Sequence, residues 1–466
     1  MSLRAKRGNR KEARQICTVR DCFVVPPRND MVLVIHHYKP IIMQLEKSII
    51  EEANHKQQAA HQRKFDFVAA DIKGLDTILK KLGDFQVAIP SWALGTGGTR
   101  FGRFSGGGEP CSLEEKIEDV GLIHALNKSS NSISLHIPWD IPDNATSIKA
   151  LAAQHGLHFD AVNSNTFQDQ PSQQHSYKYG SLHHVDKAVR RQAVEHNIEV
   201  INYGVELNSK ALSLWLSDGS NFPGQLNMRG AFERTLESLQ EIYAALPTDW
   251  KLWIEYKPYE PNFYSTTIGD WGQSYLLASK LGDQAQTLVD LGHHLQGANI
   301  EQIVSLLLME GKLAGFHFND SKYGDDDLTV GSINPYQLFL IFNELVEGMD
   351  ARGMNHATGI GWMIDASHNI KDPVEDLLQS VEAIKIAYTQ ALLVDQQALK
   401  QAQQQNDVVL AQEILQHAYR TDVRPLLAES RLRAGGALQP LEVYRQQAVR
   451  KQLINERGAL AVSTGL

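Results

Sequence analysis

Gly315-Phe-His-Phe-Asn-Asp-Ser-Lys-Tyr-Gly-Asp-Asp-Asp-Leu328 begins as an apolar run and turns abruptly polar, carrying one histidine and four aspartates. Extended back to Leu313, the run as far as Phe318 is apolar apart from His317. That is the pattern of a buried parallel strand whose end delivers polar side chains to a site. Asp325 and Asp327 flank Asp326, so in an extended turn their carboxylates point the same way. Two carboxylates held that close repel unless a cation lies between them. The stretch therefore predicts a strand of a parallel sheet with a divalent-cation site at its C-terminal end.

The same apolar-then-polar pattern recurs on either side. From about Asp84 onward it predicts strands at Gln86–Pro90, Ser132–Ile137, His158–Asn163, Glu199–Tyr203, Lys251–Tyr256, Gln286–Leu291, Leu313–Phe318 and Trp362–Asp365. Amphipathic helices lie between them, such as Asn227–Leu246 with Phe232, Leu236, Leu239 and Tyr243 at helical spacing. Eight βα repeats without a Rossmann glycine turn predict an α/β fold, a (β/α)8 TIM barrel, with its site at the C-terminal strand ends. Residues 84–372 are read as this barrel and residues 43–83 as an N-terminal helical segment. Residues 373–466 are read as a C-terminal helical extension for packing or oligomerisation, in which the glutamine-rich stretch Gln397–Gln405 is a solvated helix face. Residues 1–42 form a basic arm, with seven Lys or Arg against one acid in the first 20 residues. It is expected to be disordered or to precede a native start near Met31 or Met43, the second of which opens a better helix start.

Bulk composition narrows the function. The 466 residues are 42% hydrophobic and 21% charged, and no apolar run of bilayer-spanning length occurs. A membrane role is not expected. A net charge of -9 argues against a general nucleic-acid binder. Small molecules or copies of the same chain are the expected partners. Three cysteines, Cys17, Cys22 and Cys111, are too few for a disulfide framework and fit a reducing cytoplasm. Cys17 and Cys22 find only His36 and His37 nearby, a poor zinc set.

Polar residues gather at the predicted strand ends. Taken alone, Asp290 and His293 would be a helix-capping aspartate and a core histidine. Glu255 and Lys257, two apart on one strand, would be a buried ion pair. Combined, Glu255, Asp290, His293, His317, Asp325, Asp327 and Asp365 supply five carboxylates and two imidazoles. That set suits two hard-to-borderline divalent ions, Mn²⁺, Co²⁺ or Mg²⁺, rather than a thiolate-loving metal. Trp92 closes the first strand, in a glycine-rich stretch that lacks both the Walker ending and the G-x-G-x-x-G spacing. It is either a sugar-facing aromatic or a core cap. His136, close to Trp139 and Asp140, is a candidate proton shuttle or a hydrogen-bonded turn residue. Asn163–Gln168 and Trp215–Asn221 add amides and hydroxyls suited to a polyol.

Assembled, the motifs Trp92–Phe104, His136–Asp140, Asn163–Gln168, Ser217–Gly224, Glu255–Lys257, Asp290–His294, Gly315–Asp327 and Asp365–Asn369 resemble the broad-specificity, Pseudomonas-like L-rhamnose isomerases. The resemblance runs from about Met43 to beyond Arg445. It implies a xylose-isomerase-like barrel, usually a homotetramer, that interconverts aldoses and ketoses with two Mn²⁺ ions. By the motifs, one ion falls to Glu255, Asp290, His317 and Asp365, and a second to Asp290, His293, Asp325 and Asp327. It further implies a hydride shift between C1 and C2, with Lys257 polarising the carbonyl, Asp327 accepting a proton and His136 serving ring opening. Trp92, Phe101 and Phe167 become an apolar wall, with Trp215 also substrate-facing. Two other readings are a metal-dependent epimerase, which wants paired glutamates, and an endonuclease-like hydrolase, which wants a basic groove. A non-catalytic sugar-binding barrel leaves the full ligand set unexplained.

Overall fold

The computed structural model describes residues 47–95, 106–171, 173–261, 263–366 and 370–460. The basic arm and Phe101 lie outside the described residues. Two helices come first, α1 (Lys47–Ala69) and α2 (Leu75–Asp84). The barrel strands follow as β1 (Ile89–Pro90), β2 (Ser132–Ile137), β3 (His158–Ser164), β4 (Ala211–Trp215), β5 (Lys251–Glu255), β6 (Ala285–Asp290), β7 (Leu313–Phe318) and β8 (Gly361–Ile364). Each is parallel to the next. The ring closes through Ala88, whose N–H donates to the Trp362 carbonyl at 2.7 Å and whose carbonyl accepts from the Ile364 N–H at 3.2 Å.

A helix follows every strand: α3 (Leu113–Asn127), α4 (Ala145–Gln154), α5 (Lys187–Glu206), α6 (Met228–Ala244), α7 (Trp271–Leu281), α8 (Ile300–Met309), α9 (Pro335–Ala351) and α10 (Pro373–Leu392). Their starts are encoded locally. Ser112, Asn144, Asp186, Asn227, Asp270, Asn299 and Asp372 each accept a backbone N–H from the first turn of the helix they precede. Chain direction is thus reset at the end of nearly every loop on the site side of the barrel.

Glu199–Tyr203 is not a strand but the last turns of α5. Val200 and Ile201 are buried with Ala193, Val194, Asn197 and Gly204, spaced as one helical face. Seen through a five-residue window, that face looks like an apolar strand. The fourth strand is Ala211-Leu-Ser-Leu-Trp215, short and broken by a serine. Its alternation sends Ser213 and Trp215 into the cavity at the barrel mouth.

Below the mouth the barrel is filled by one large residue among small ones, Trp253 packed with Ala161, Ala211, Leu288 and Ala314. Gly361 has no side chain because a Cβ there would lie 2.4 Å from the Trp253 ring. Gly315 beside it would bring a Cβ within 2.3 Å of the Gly361 carbonyl oxygen. Outside the ring, five further helices follow α10: Gln396–Gln404, Val408–Arg420, Arg424–Arg433, Pro440–Gln446 and Val449–Arg457. They pack on the barrel and on the N-terminal helices. Asn54 of α1 donates to the Gly436 carbonyl at 2.9 Å and accepts the Leu438 N–H at 2.8 Å. Arg457 grips Asp119 of α3 with two nitrogens, both at 2.8 Å. Among the described residues, no helix is long and apolar enough to cross a membrane.

Lys385 of α10 is buried and donates to the Phe85 carbonyl at 2.6 Å, just past the C-terminus of α2. Burial pushes its amine from the usual 10.5 down to about 7. Below that pH the folded chain carries the full cost of a buried ammonium. As pH rises further, the folded amine is neutral while the unfolded one stays protonated, so folding gains stability. Wild type should therefore gain on a Lys385→Met variant by about 1 kcal/mol per pH unit between pH 7 and pH 9.5, read from urea midpoints. Parallel profiles for the two proteins would dismiss this account of Lys385.

Candidate metal centre

The strand ends converge on one point. β5 ends on Glu255, β6 ends on Asp290, β7 carries His317 opposite Asp290 in the ladder, and β8 hands the chain to Asp365. Ligand atoms of Glu255, Asp290, His317 and Asp365 all lie within 4.8 Å of one another. His317 Nδ1 is 3.3 Å from Glu255 Oε2, 3.4 Å from Asp365 Oδ2 and 3.9 Å from Asp290 Oδ2. A second group joins Asp290 to His293 and Asp325, with His293 Nε2 2.9 Å from Asp325 Oδ1. Asp290 belongs to both groups. The other ring nitrogen of His293 lies 3.0 Å from the Tyr256 carbonyl. A proton shared there leaves Nε2 as the lone-pair donor.

Donor chemistry and packing both suit divalent cations. His317 is only 2% exposed, and neither of its ring nitrogens has a hydrogen-bond partner among the described residues. Buried polar atoms are rarely left so. The ionisation of the cluster points the same way. Burial, then the charges of Glu255 and Asp365, push Asp290 up to about 7 despite His293. Burial and the carboxylates of Asp325, Asp365 and Asp290 raise Asp327 well above its usual value. Burial would lower His317, but Glu255 and Asp365 carry it up to about 10. Glu255 goes the opposite way: burial would raise it, yet the two imidazoles hold it below the usual range. A metal-free centre at neutral pH thus retains protons that divalent cations would displace.

Asp290 is oriented by the strand beside it. Asn319, just after β7, donates its amide to both Asp290 oxygens, at 2.9 and 3.1 Å, and the Gly292 N–H donates at 2.7 Å. The aspartate-rich loop is not the extended turn expected of it. Asp326 accepts the N–H groups of Lys322, Tyr323 and Gly324 and the Ser321 hydroxyl, tying the loop into a knot. Asp325 and Asp327 sit on either side with left-handed backbone, φ 53° and 49°. Aspartate tolerates that conformation better than most residues. The loop gives Asp325 to His293 and Lys257, whereas Asp327 faces the cavity and stays outside the 4.8 Å group that holds Asp325.

Lys257 does not pair with Glu255. β5 stops at Glu255, so period-two alternation no longer applies beyond it. The ammonium contacts Asp325, lies 2.7 Å from Glu260 Oε2, and sits 4.9 Å from the Trp215 ring centroid. No sequence pattern marks Glu260 as its partner. It comes from a small antiparallel sheet of Tyr259–Glu260, Tyr264–Thr266 and Gly219–Ser220, whose strands are too short to show a period.

Above the ligand groups opens a cavity of about 360 Å³. Trp92, Trp139, Phe167 and Trp215 form its apolar side, while Asn163, Ser213, Lys257 and Glu260 add polar groups. Trp92 donates its indole N–H to Asp365 Oδ1 at 2.8 Å. His136 stacks on Trp139 with ring centroids 4.0 Å apart and meets the edge of Trp92 at 5.4 Å. Burial lowers His136 to about 3, so its imidazole is neutral. Its turn is fixed by Asp140, which accepts the His136 N–H at 2.8 Å and pairs with buried Lys116 at 2.7 Å. Of the residues singled out in the sequence, Trp92, His136, Phe167, Trp215, Glu255, Lys257, His293, His317, Asp325, Asp327 and Asp365 line this cavity. Asp290 joins its floor through both ligand groups. The sequence offered little to mark Ser213, Glu260 or Tyr264.

Sharing of Asp290 has a measurable consequence. After loading with Mn²⁺ and gel filtration, Asp290→Asn should retain close to no metal, whereas Asp365→Asn should lose mainly one equivalent, by elemental analysis. Undiminished metal in Asp290→Asn would rule out the shared role.

Residues 129–375 match the model of the xylose isomerase-like TIM barrel family. A protein named "probable sugar isomerase" from Mesorhizobium japonicum is 53% identical over 393 residues, covering 84% of this chain and 90% of that protein. Another of the same description from Rhizobium meliloti is 48% identical over 429 residues, covering 91% and 99%. Among solved structures, an L-ribulose 3-epimerase superposes with a TM-score of 0.47 at 14% identity, covering 70% of this chain and 98% of that one.

Proposed function

The chain belongs to the xylose isomerase-like TIM barrel family, and on that premise we propose that it is a metal-dependent aldose–ketose isomerase. It interconverts L-rhamnose and L-rhamnulose, and also D-allose and D-allulose, by a 1,2-hydride shift. The observation that carries this reading is the pair of ligand groups sharing Asp290 beneath an aromatic-walled cavity that also holds Lys257. Glu255, Asp290, His317 and Asp365 would hold one divalent ion, Mn²⁺ by preference. Asp290, His293, Asp325 and Asp327 would hold the other. Bound there, the ions supply Lewis-acid polarisation of two neighbouring sugar oxygens.

The chain's own residues do the rest. Lys257, steadied by Glu260 and Trp215, donates a hydrogen bond to the C1 carbonyl oxygen of the open-chain aldose. Negative charge that builds on that oxygen during hydride transfer meets a fixed ammonium. Asp327 faces the cavity, accepts the proton that leaves the C2 hydroxyl and delivers it to the C1 oxygen once the hydride has passed from C2 to C1. His136, neutral and buried, has an Nδ1 without a partner among the described residues. It shuttles the proton between ring oxygen and anomeric hydroxyl when the sugar ring opens. Trp92, Phe167 and Trp215 cover C–H faces and exclude water. Neither glutamate is placed as one of an epimerase's paired bases: Glu260 is committed to Lys257 and Glu255 lies within a ligand group. Resemblance to the L-rhamnose isomerases adds a cytoplasmic homotetramer.

Chelation followed by Mn²⁺ or Co²⁺ addition tests the proposal by formation of L-rhamnulose from L-rhamnose. Failure to convert any aldose in a panel of hexoses and 6-deoxyhexoses under either metal would refute it. Asp327→Asn should lose about 10²-fold or more in kcat with KM little changed. Lys257→Met should lose about 10²-fold in kcat while retaining its Mn²⁺. A kcat near wild type in both variants would contradict the roles given to them.

A further inference from the structure

A second cavity, of about 400 Å³, adjoins the first and shares Phe167, Gln168 and Tyr264 with it. Both volumes fall within the roughly 300–1,000 Å³ usual for small-molecule sites. Its remaining wall comes from the loop after β3, from Gln225 and from Ser217–Asn221, a stretch the reaction proposed above leaves unused.

Hydrogen bonds fix the shape of this cavity. The Asp218 carboxylate accepts the Ser181 N–H at 2.7 Å, the Ser181 hydroxyl at 2.9 Å and the His183 N–H at 2.8 Å, joining the two loops that face each other. Asp169 is likewise committed, accepting the Tyr177 N–H at 2.7 Å and the Gln173 amide at 3.1 Å. Thr166 and Ser217, only 2% and 4% exposed, add hydroxyl-bearing side chains to the cavity wall. Each hydroxyl is both a donor and an acceptor that a ligand entering the cavity can use. Gln168 and Asn221 bring side-chain amides to the same wall.

The chemistry of the wall selects a ligand class. One exposed ammonium, Lys178, lies over the Tyr179 ring, and two carboxylates offset it, so there is no excess of positive charge to hold a phosphate. Hydroxyls and amides flanked by the rings of Phe167, Tyr177 and Tyr264 match a neutral ring carrying many hydroxyls. We propose that this cavity is a second sugar subsite, which takes a further sugar unit attached to the end of the aldose remote from C1 and C2. The substrate class thereby extends from free hexoses to glycosylated aldoses. This inference rests on the reading of the barrel mouth as a sugar-isomerase site.

Calorimetric titration of the full-length, Mn²⁺-loaded protein tests it, with maltose, lactose and melibiose as probes against glucose. At least one disaccharide should bind about tenfold more tightly than glucose. Ser217→Val and Asn221→Leu should each remove that gain and leave the glucose Kd unchanged. Two substitutions are used because Ser217 is buried and Asn221 is exposed, so a folding defect in one does not decide the matter. No gain for any of the three disaccharides, or a gain that survives both substitutions, would overturn the subsite. Binding is read without turnover. A chain inactive on all aldoses that shows this preference loses the isomerase assignment and keeps the subsite, and an active isomerase without the preference does the reverse.

Discussion

Five carboxylates and two imidazoles crowded onto the ends of parallel strands set the terms for everything around them. Such a cluster is repulsive in a low-dielectric setting and tolerable only if every group is held and compensated. The surroundings of each group follow from this. Asn319 and the Gly292 N–H neutralise part of Asp290, the Tyr256 carbonyl orients His293, Trp92 holds Asp365, and Lys257 stands against Asp325. The barrel beneath supplies rigidity. Trp253 and the glycine at 361 leave no slack through which the strand ends could spread apart.

Where residues repeat, the sequence was readable. Seven of the eight strands fell within a few residues of their observed positions because buried parallel strands are continuous apolar runs bounded by polar ends. The strand placed at Glu199–Tyr203 failed because five residues cannot distinguish a strand from the buried face of a longer helix. Its true counterpart, Ala211–Trp215, hides a serine that serves the cavity rather than the core. The residues grouped as ligands were visible because carboxylates and histidines at strand ends have few structural uses.

Contacts that depend on backbone conformation were not readable. Nothing in Asp325-Asp326-Asp327 says that the middle residue is the structural one and that its neighbours take left-handed backbone. Glu260 is brought to Lys257 by a sheet of two- and three-residue strands, below the length at which periodicity exists. The Asn54 contacts bridge residues nearly four hundred apart in sequence, and no local pattern announces such a partner.

Closure of the barrel relies on little. β1 has only two residues in the ladder, and a single bridge through Ala88 joins it to β8. The chain leaves that seam on one side as Trp92 and on the other as Asp365, and these two side chains are hydrogen-bonded across it. A member of the candidate metal centre is therefore also one half of a clasp. A cation held by Asp365 would fasten the clasp from inside, and loading the centre and closing the ring would then be one thermodynamic event. In such a molecule the thinnest part of the wall is reinforced by the same atoms that prepare the chemistry.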